Sequence, residues 1–193
     1  SHPFPTTRTS LARKLARDVF GVSGLRRIVG LVLMDIGVLE YTVAADVVKR
    51  LRNGRSTLDY VREGARNMCG MLLTNALLFG VLYAVGAGWV YTAWVIAYLT
   101  TFSLFVRIRS LAEHACTEVT DDIFRNTRTT SAGLLARMTV APVNVNFHIE
   151  HHALVSVPYY RLPELSAVLR ARGALSAPPT YLDVLRIVTA RRA

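Results

Sequence analysis

Three of the five histidines in this 193-residue chain, His148, His151 and His152, fall in the stretch Asn144-Val-Asn-Phe-His-Ile-Glu-His-His152. Neutral imidazole is the commonest metal ligand in proteins, and one ring nitrogen can meet an ion while a neighbour holds the other. On a helix, positions i, i+3 and i+4 lie within an arc of about 100° on one face. Three rings so placed make half of a metal cage. Glu150, Asn144 and Asn146 sit in the same stretch and supply the carboxylate and amides that orient such rings. The alternative is a polar helix whose histidines face water. Pro142 suits a first helical turn and Pro158 a stop, so the spacing predicts a helix of about three to four turns between them.

A fourth imidazole, His114, closes the run Arg107-Ile-Arg-Ser-Leu-Ala-Glu-His. Alone it is a solvated histidine at a helix end. If the helix that carries it ends beside the trio, it joins them. Glu113 and Glu150 are then either partners that fix ring tautomers or solvated acids beside histidines.

The elements that must position these residues are apolar and basic by turns. The hydrophobic fraction is 52% and the mean hydropathy is +0.32, yet the net charge is +10. Segregation along the chain reconciles the two. Residues 67–106 carry no charge, about 40 positions against the ~20 that one membrane span needs. Gly86-Ala-Gly88 breaks this run, with Trp89 and Tyr91 just after it. The pattern predicts a transmembrane hairpin, 68–85 and 89–106, with a tight turn on the far side and aromatics at that interface. Arg62, Arg66, Arg107 and Arg109 flank the open ends, which by the positive-inside rule face the cytoplasm. Two core helices of a soluble bundle would need polar faces that these segments lack.

Upstream, residues 1–10 read as an exposed lead-in. Leu11, Leu15 and Val19 then recur every four residues opposite Arg13, Lys14 and Arg17, until Gly21. Such a basic amphipathic helix lies at a membrane interface or packs on protein. Within 25–51, Ile28 to Met34 is apolar, but Asp35 and Glu40 interrupt what would otherwise be a span, which predicts an interfacial or half-buried helix. Asn53-Gly54 marks a turn, and 56–66 a short helical approach. Downstream, 117–141 reads as a cytosolic connector with a helix over 131–140. Pro163 opens another helix through Arg172, and 181–191 is a last amphipathic helix. Cys69 and Cys116 have no metal-knuckle spacing and fit a reducing compartment. The arginines are scattered and no nucleic-acid motif is present, so nucleic acid is not an expected partner. The fold class is all-α, a membrane protein with one helical hairpin plus interfacial and cytosolic helices.

A hairpin followed by a histidine cluster resembles the integral-membrane fatty acid desaturases, especially the bacterial acyl-lipid type. The likeness rests on Arg107-Ile-Arg, on Glu113-His114-Ala, and on the stretch from Asn144 through His148, His151 and His152 to Leu154. It continues through Val157-Pro-Tyr-Tyr-Arg-Leu-Pro163. The family's last box, His-x-x-His-His, is matched by His148, His151 and His152, and its single histidine below the fourth span by His114. The resemblance implies that these four residues ligate metal, with Glu113, Glu150, Asn144, Asn146 and Arg109 supporting them. It also implies two irons, dioxygen as co-substrate, a membrane lipid acyl chain as substrate, and a ferredoxin or cytochrome-type electron donor. The place implied is a bacterial inner membrane, with the cluster and both termini cytoplasmic. The activity implied is an oxidoreductase that introduces a double bond.

Two departures qualify it. The family's upstream boxes, His-x(3–4)-His and His-x-x-His-His, are not present. The expectation is therefore one partial desaturase domain over 1–193, the C-terminal part of the enzyme, with the hairpin at 68–106 and the histidine-bearing part at 107–193. Alone, it should bind iron poorly and be inactive. Ser110 stands where some animal relatives carry an asparagine, so no role carries over to it. The same boxes serve hydroxylases, acetylenases and carotenoid-modifying oxygenases, and a non-catalytic membrane protein that keeps the fold is a further alternative. A zinc hydrolase is disfavoured, because Glu150 is wrongly spaced in His148-Ile-Glu-His151.

Overall fold

A computed structural model describes residues 4–41, 47–49 and 54–190. The chain forms two compact units, Arg17–Ser103 and a second one made of Ser1–Ala16 with Leu104–Ala193. Helix α1 (Arg8–Val19) contributes to both.

The first unit holds the apolar hairpin. Helix α2 (Val22–Asp35) leads into a short antiparallel ribbon, β1 (Leu39–Tyr41) with β2 (Val47–Lys49). The expected helix over 25–51 is therefore corrected at its second half. Gly37, at φ +76°, stops α2, with Gly37 N–H donating to Met34 O and Val38 N–H to Leu33 O. That is the left-handed helix end glycine favours. Val47 and Val48 then pair as strand residues do. Residues 42–46 and Asn53 of the expected turn lie outside the described residues.

Helix α3 (Thr57–Ala84) begins at a capping box in which Ser56 accepts from Asp59 N–H and Asp59 accepts from Ser56 N–H. The expected approach helix and first span are thus one element. At 1.5 Å per residue it runs about 42 Å, more than a ~30 Å hydrocarbon core requires. The turn after it is a glycine-closed one, with Gly86 at φ +76°, Gly86 N–H on Tyr83 O and Ala87 N–H on Leu82 O. Helix α4 (Gly88–Leu99) returns along α3. Tyr91 donates its hydroxyl to Asn75 at 3.0 Å, and Phe79 meets Tyr91 edge-on at 5.4 Å. The aromatic series continues through Trp94 and Tyr98 to Phe102. Arg27 of α2 lies over Tyr98 and Phe102 and donates to Tyr98 O. Thr100 (φ −105°, ψ −84°) separates α4 from α5 (Thr101–His114). Thr57–Ala84 and Gly88–His114 are both long and apolar enough to cross a membrane.

In the second unit Leu11 of α1, Leu111, Ala112 and Ala115 at the end of α5, and Val184 and Val188 of α10 (Tyr181–Val188) form the core. Leu11 and Leu15 thus pack on protein, which decides between the two readings of α1 for these residues. Helix α10 is held by a second capping box, Thr180 with Asp183. Between α5 and α10 lie four short helices, α6 (Ile123–Asn126), α7 (Leu134–Met138), α8 (His148–Ala153) and α9 (Leu162–Ala171). Two of these differ from expectation by length: the helix expected over 131–140 spans Leu134–Met138, and the histidine helix has six residues. The helix expected from Pro163 through Arg172 is present as α9. In front of α8, Val143 (φ +48°) and Asn144 (φ +60°) are left-handed, so Pro142 opens a separate 3₁₀ turn instead of α8. Asparagine adopts that conformation readily, whereas a β-branched valine is strained in it.

Candidate metal centre

The last turn of α5 presents Arg109, Glu113 and His114, and α8 presents the histidine trio. His148 Nε2 lies 3.1 Å from His114 Nε2 and 3.1 Å from His152 Nε2. The three ligand atoms all fall within 4.8 Å of one another. The rings stand nearly perpendicular, at 83° for His114–His148 and 85° for His148–His152. Their nitrogens therefore point at one place instead of stacking face to face.

This donor set fits a cation. Two neighbouring nitrogens on an ion at about 2.1 Å lie about 3 Å apart when their bonds are roughly perpendicular. A neutral imidazole nitrogen either donates or accepts, so His148 Nε2 cannot serve as a donor to one ring and an acceptor from the other. A shared cation satisfies all three. His148 is also in the right protonation state. Burial, then the nearby His114, His152, His151 and Arg109, push its pKa down to about 3. Its other nitrogen, Nδ1, faces Glu113 Oε1 at 3.8 Å, and Arg109 Nε stands 3.4 Å from the same oxygen.

His151 is beside the cluster but outside the converging set, its ring centroid 6.4 Å from that of His148 and 5.7 Å from that of His152. The geometry of the helix explains this. His148 and His152 are about 40° apart in projection, whereas His151 lies about 60° to the other side of His148. His151 instead lines a cavity of about 440 Å³ with Arg109, Glu113, Val143, Tyr159 and Leu162, next to His148.

The remaining sequence candidates lie elsewhere. Glu150 is fully buried and points away from the rings; its Oε2 accepts the Thr129 hydroxyl and its Oε1 has no hydrogen-bond partner. Asn146 donates to Thr130 O at 2.8 Å, and Asn144 to Tyr159 O at 3.1 Å. These three hold the loop and helix in place; none is hydrogen-bonded to an imidazole. Arg128, Thr129 and Thr130, which bind both α5 and the α8 region, have no periodicity or motif that marks them in the sequence. Their partners are 12 to 21 residues away.

An α-helical chain with a membrane-length hairpin and a converging imidazole set has the features of a membrane-associated protein with a candidate metal site. The sequence model described as fatty acid desaturase matches residues 1–182, and the chain belongs to that family. No curated protein and no solved structure matches it. Membership joins the chain to a family of oxidoreductases, and with the two apolar helices it supports membrane association.

Proposed function

We propose that this chain supplies part of the metal centre of an oxygen-dependent, di-iron acyl-lipid desaturase. The observation that carries the reading is the convergence of the His114, His148 and His152 nitrogens, within a chain of the desaturase family. The 193 residues are read as one partial desaturase domain. Four of the chain's five histidines are at or beside the cluster. A two-ion centre needs more imidazoles than that, so the others come from residues outside this sequence.

His114, His148 and His152 would hold one iron and His151 would face a second; bound iron supplies the activation of dioxygen that an unreactive methylene requires. The protein's own part is positional. Glu113 faces the Nδ1 side of His148, and Arg109 stands beside Glu113. Val143, Val145 and Leu162 give the adjoining cavity an apolar wall for a methylene segment to lie against. The basic excess of the chain, +10, suits an acidic ferredoxin or a cytochrome-type donor at a cytoplasmic face of a bacterial inner membrane. In the absence of the missing ligands the chain is inactive.

The test is metal and product together. The purified chain in detergent should bind one Co²⁺, with binding abolished by His148→Ala and weakened by His114→Ala or His152→Ala but not by His151→Ala. Stoichiometric di-iron in the chain alone would contradict the reading. With the missing imidazoles supplied by co-expression, mass spectrometry of host lipids should show loss of two hydrogens from an acyl chain. Gain of one oxygen would make the enzyme a hydroxylase.

A further inference from the structure

Helix α8 is too short to place two ligands by itself, since six residues form fewer than two turns and such a helix is marginal without outside support. Nor do α5 and α8 pack side by side among the described residues. Something else must set the distance between His114 and His148. The segment 127–131 is hydrogen-bonded to both.

On the α5 side, the helix ends with carbonyls that have no partner in the next turn. Arg128 takes two of them and two more from the turn that follows. Its N–H donates to Glu113 O at 2.9 Å, while its guanidinium donates to Ala112 O at 3.2 Å, Ala115 O at 2.9 Å and Cys116 O at 3.3 Å. These carbonyls bracket His114. On the α8 side, the Thr129 hydroxyl accepts from Ile149 N–H at 3.1 Å and donates to the Glu150 carboxyl. Thr130 and Asn146 exchange a pair of bonds, Thr130 N–H to Asn146 O at 3.0 Å and Asn146 Nδ2 to Thr130 O at 2.8 Å. Thr129, Thr130, Asn146 and Glu150 are all buried. Hydrogen bonds in such surroundings are strong and costly to leave unmade.

We infer that 127–131 is a strap, with Arg128 and Thr129 as positioning residues that hold His114 and His148 at ligand spacing. Arg128 fixes the end of α5. One residue further on, Thr129 grips Ile149 and Glu150, the residues between His148 and His151. The fully buried Glu150 is thereby an anchor of the histidine helix. This rests on the proposed metal-centre reading but concerns residues outside the ligand set.

The experiment compares the full chain with Thr129→Val, Thr129→Ser and the double variant Thr129→Val/Glu150→Met. Valine keeps the shape and removes the hydroxyl; serine keeps the hydroxyl. The double variant removes the buried carboxyl, so that fold is retained if Thr129→Val alone fails to fold. Co²⁺ alone is the probe, followed by its visible absorption. Thr129→Val and the double variant should bind Co²⁺ about tenfold or more weakly, the scale seen when groups supporting metal ligands are removed. Thr129→Ser should restore binding. Equal affinity in folded Thr129→Val or in the double variant overturns the strap and leaves the metal reading intact. If the unaltered chain does not bind Co²⁺, the metal reading fails and the strap is judged without metal. In metal-free ¹⁵N-histidine protein, through-hydrogen-bond coupling between His114 and His148 should be present in the unaltered chain and Thr129→Ser and lost in the valine variants. Coupling retained in the valine variants overturns the strap.

Discussion

Glycine 24 lies where α2 meets α4, and replacing it with alanine sets two effects of opposite sign against each other. Alanine is the better helix former, by about 0.5–1 kcal/mol at an interior position and less in the first turn, where Gly24 sits. Against that, a Cβ at this position would lie 2.1 Å from Leu99 O, 2.6 Å from Leu99 Cα and 2.7 Å from Leu99 C. All three are backbone atoms, so no rotamer change relieves the contact. The helices would have to separate by about 1 Å, and overpacking of this kind costs about 1–3 kcal/mol. The clash therefore wins, and Gly24→Ala should destabilise the first unit by about 1–2 kcal/mol once the helix-propensity gain is subtracted. Gly30, two turns along the same helix, has nothing within 4 Å of its added Cβ. Gly30→Ala should stabilise by about 0.5–1 kcal/mol. The two tryptophans, Trp89 and Trp94, both belong to α4, so tryptophan fluorescence during denaturant unfolding in micelles reads the helix that Gly24 touches. Shifts of the same sign in the two variants would refute the close approach of α2 to Leu99.

The hairpin and the cluster each give a further expectation. The Tyr91–Asn75 bond joins α4 to α3 at 3.0 Å, and in a double-mutant cycle with Tyr91→Phe and Asn75→Ala it should be worth about 0.6 kcal/mol, up to about 1.7, as for other hydrogen bonds between membrane helices; no coupling would mean that these helices do not pair through these residues. In the metal-free protein, the His148 pKa of about 3 lies below the value near 6.5 of an unfolded histidine. The unfolded state then binds the extra proton, so the contribution of His148 to stability is fully present above about pH 6.5 and is lost as pH falls from there toward 3. Unfolding midpoints measured across that range should fall with acid less steeply in His148→Ala than in the unaltered chain.

Much of this architecture is written in local pattern. The uncharged run, the glycine pair at 86 and 88 and the flanking arginines specify the hairpin, because each acts over a few neighbouring residues. The imidazoles that the structure draws together, His114, His148 and His152, are ones the sequence singles out by type and spacing. What local pattern misses is long-range or conformational. The ribbon at 39–49 is hidden because a short apolar run reads equally as helix or strand. The six-residue length of α8 follows from Val143 in a left-handed conformation, which side-chain type argues against. The roles of Arg128 and Thr129 depend on partners whose distance in sequence carries no signal. Glu150 reads in sequence as a neighbour of three histidines, yet alternate residues on a helix point about 160° away from one another. It is therefore drawn to Thr129 and away from the cluster.

The same projection bears on the proposed two-ion centre, because a box of the form His-x-x-His-His turns its rings in two directions. Residues i and i+4 converge on a single point when a third ring arrives from another helix, as His148, His152 and His114 do at 3.1 Å contacts. Residue i+3 projects to the far side of i, so the ring of His151 is carried toward the adjoining cavity. One turn of helix thus offers two ligands in one direction and one in another. The economy has a mechanical consequence, because a single turn has little rigidity and any rotation of it moves both groups of ligands at once. The strap at 127–131 and the buried Glu150 oppose that rotation from the side away from the rings, where hydrogen bonds do not compete with metal for imidazole nitrogens.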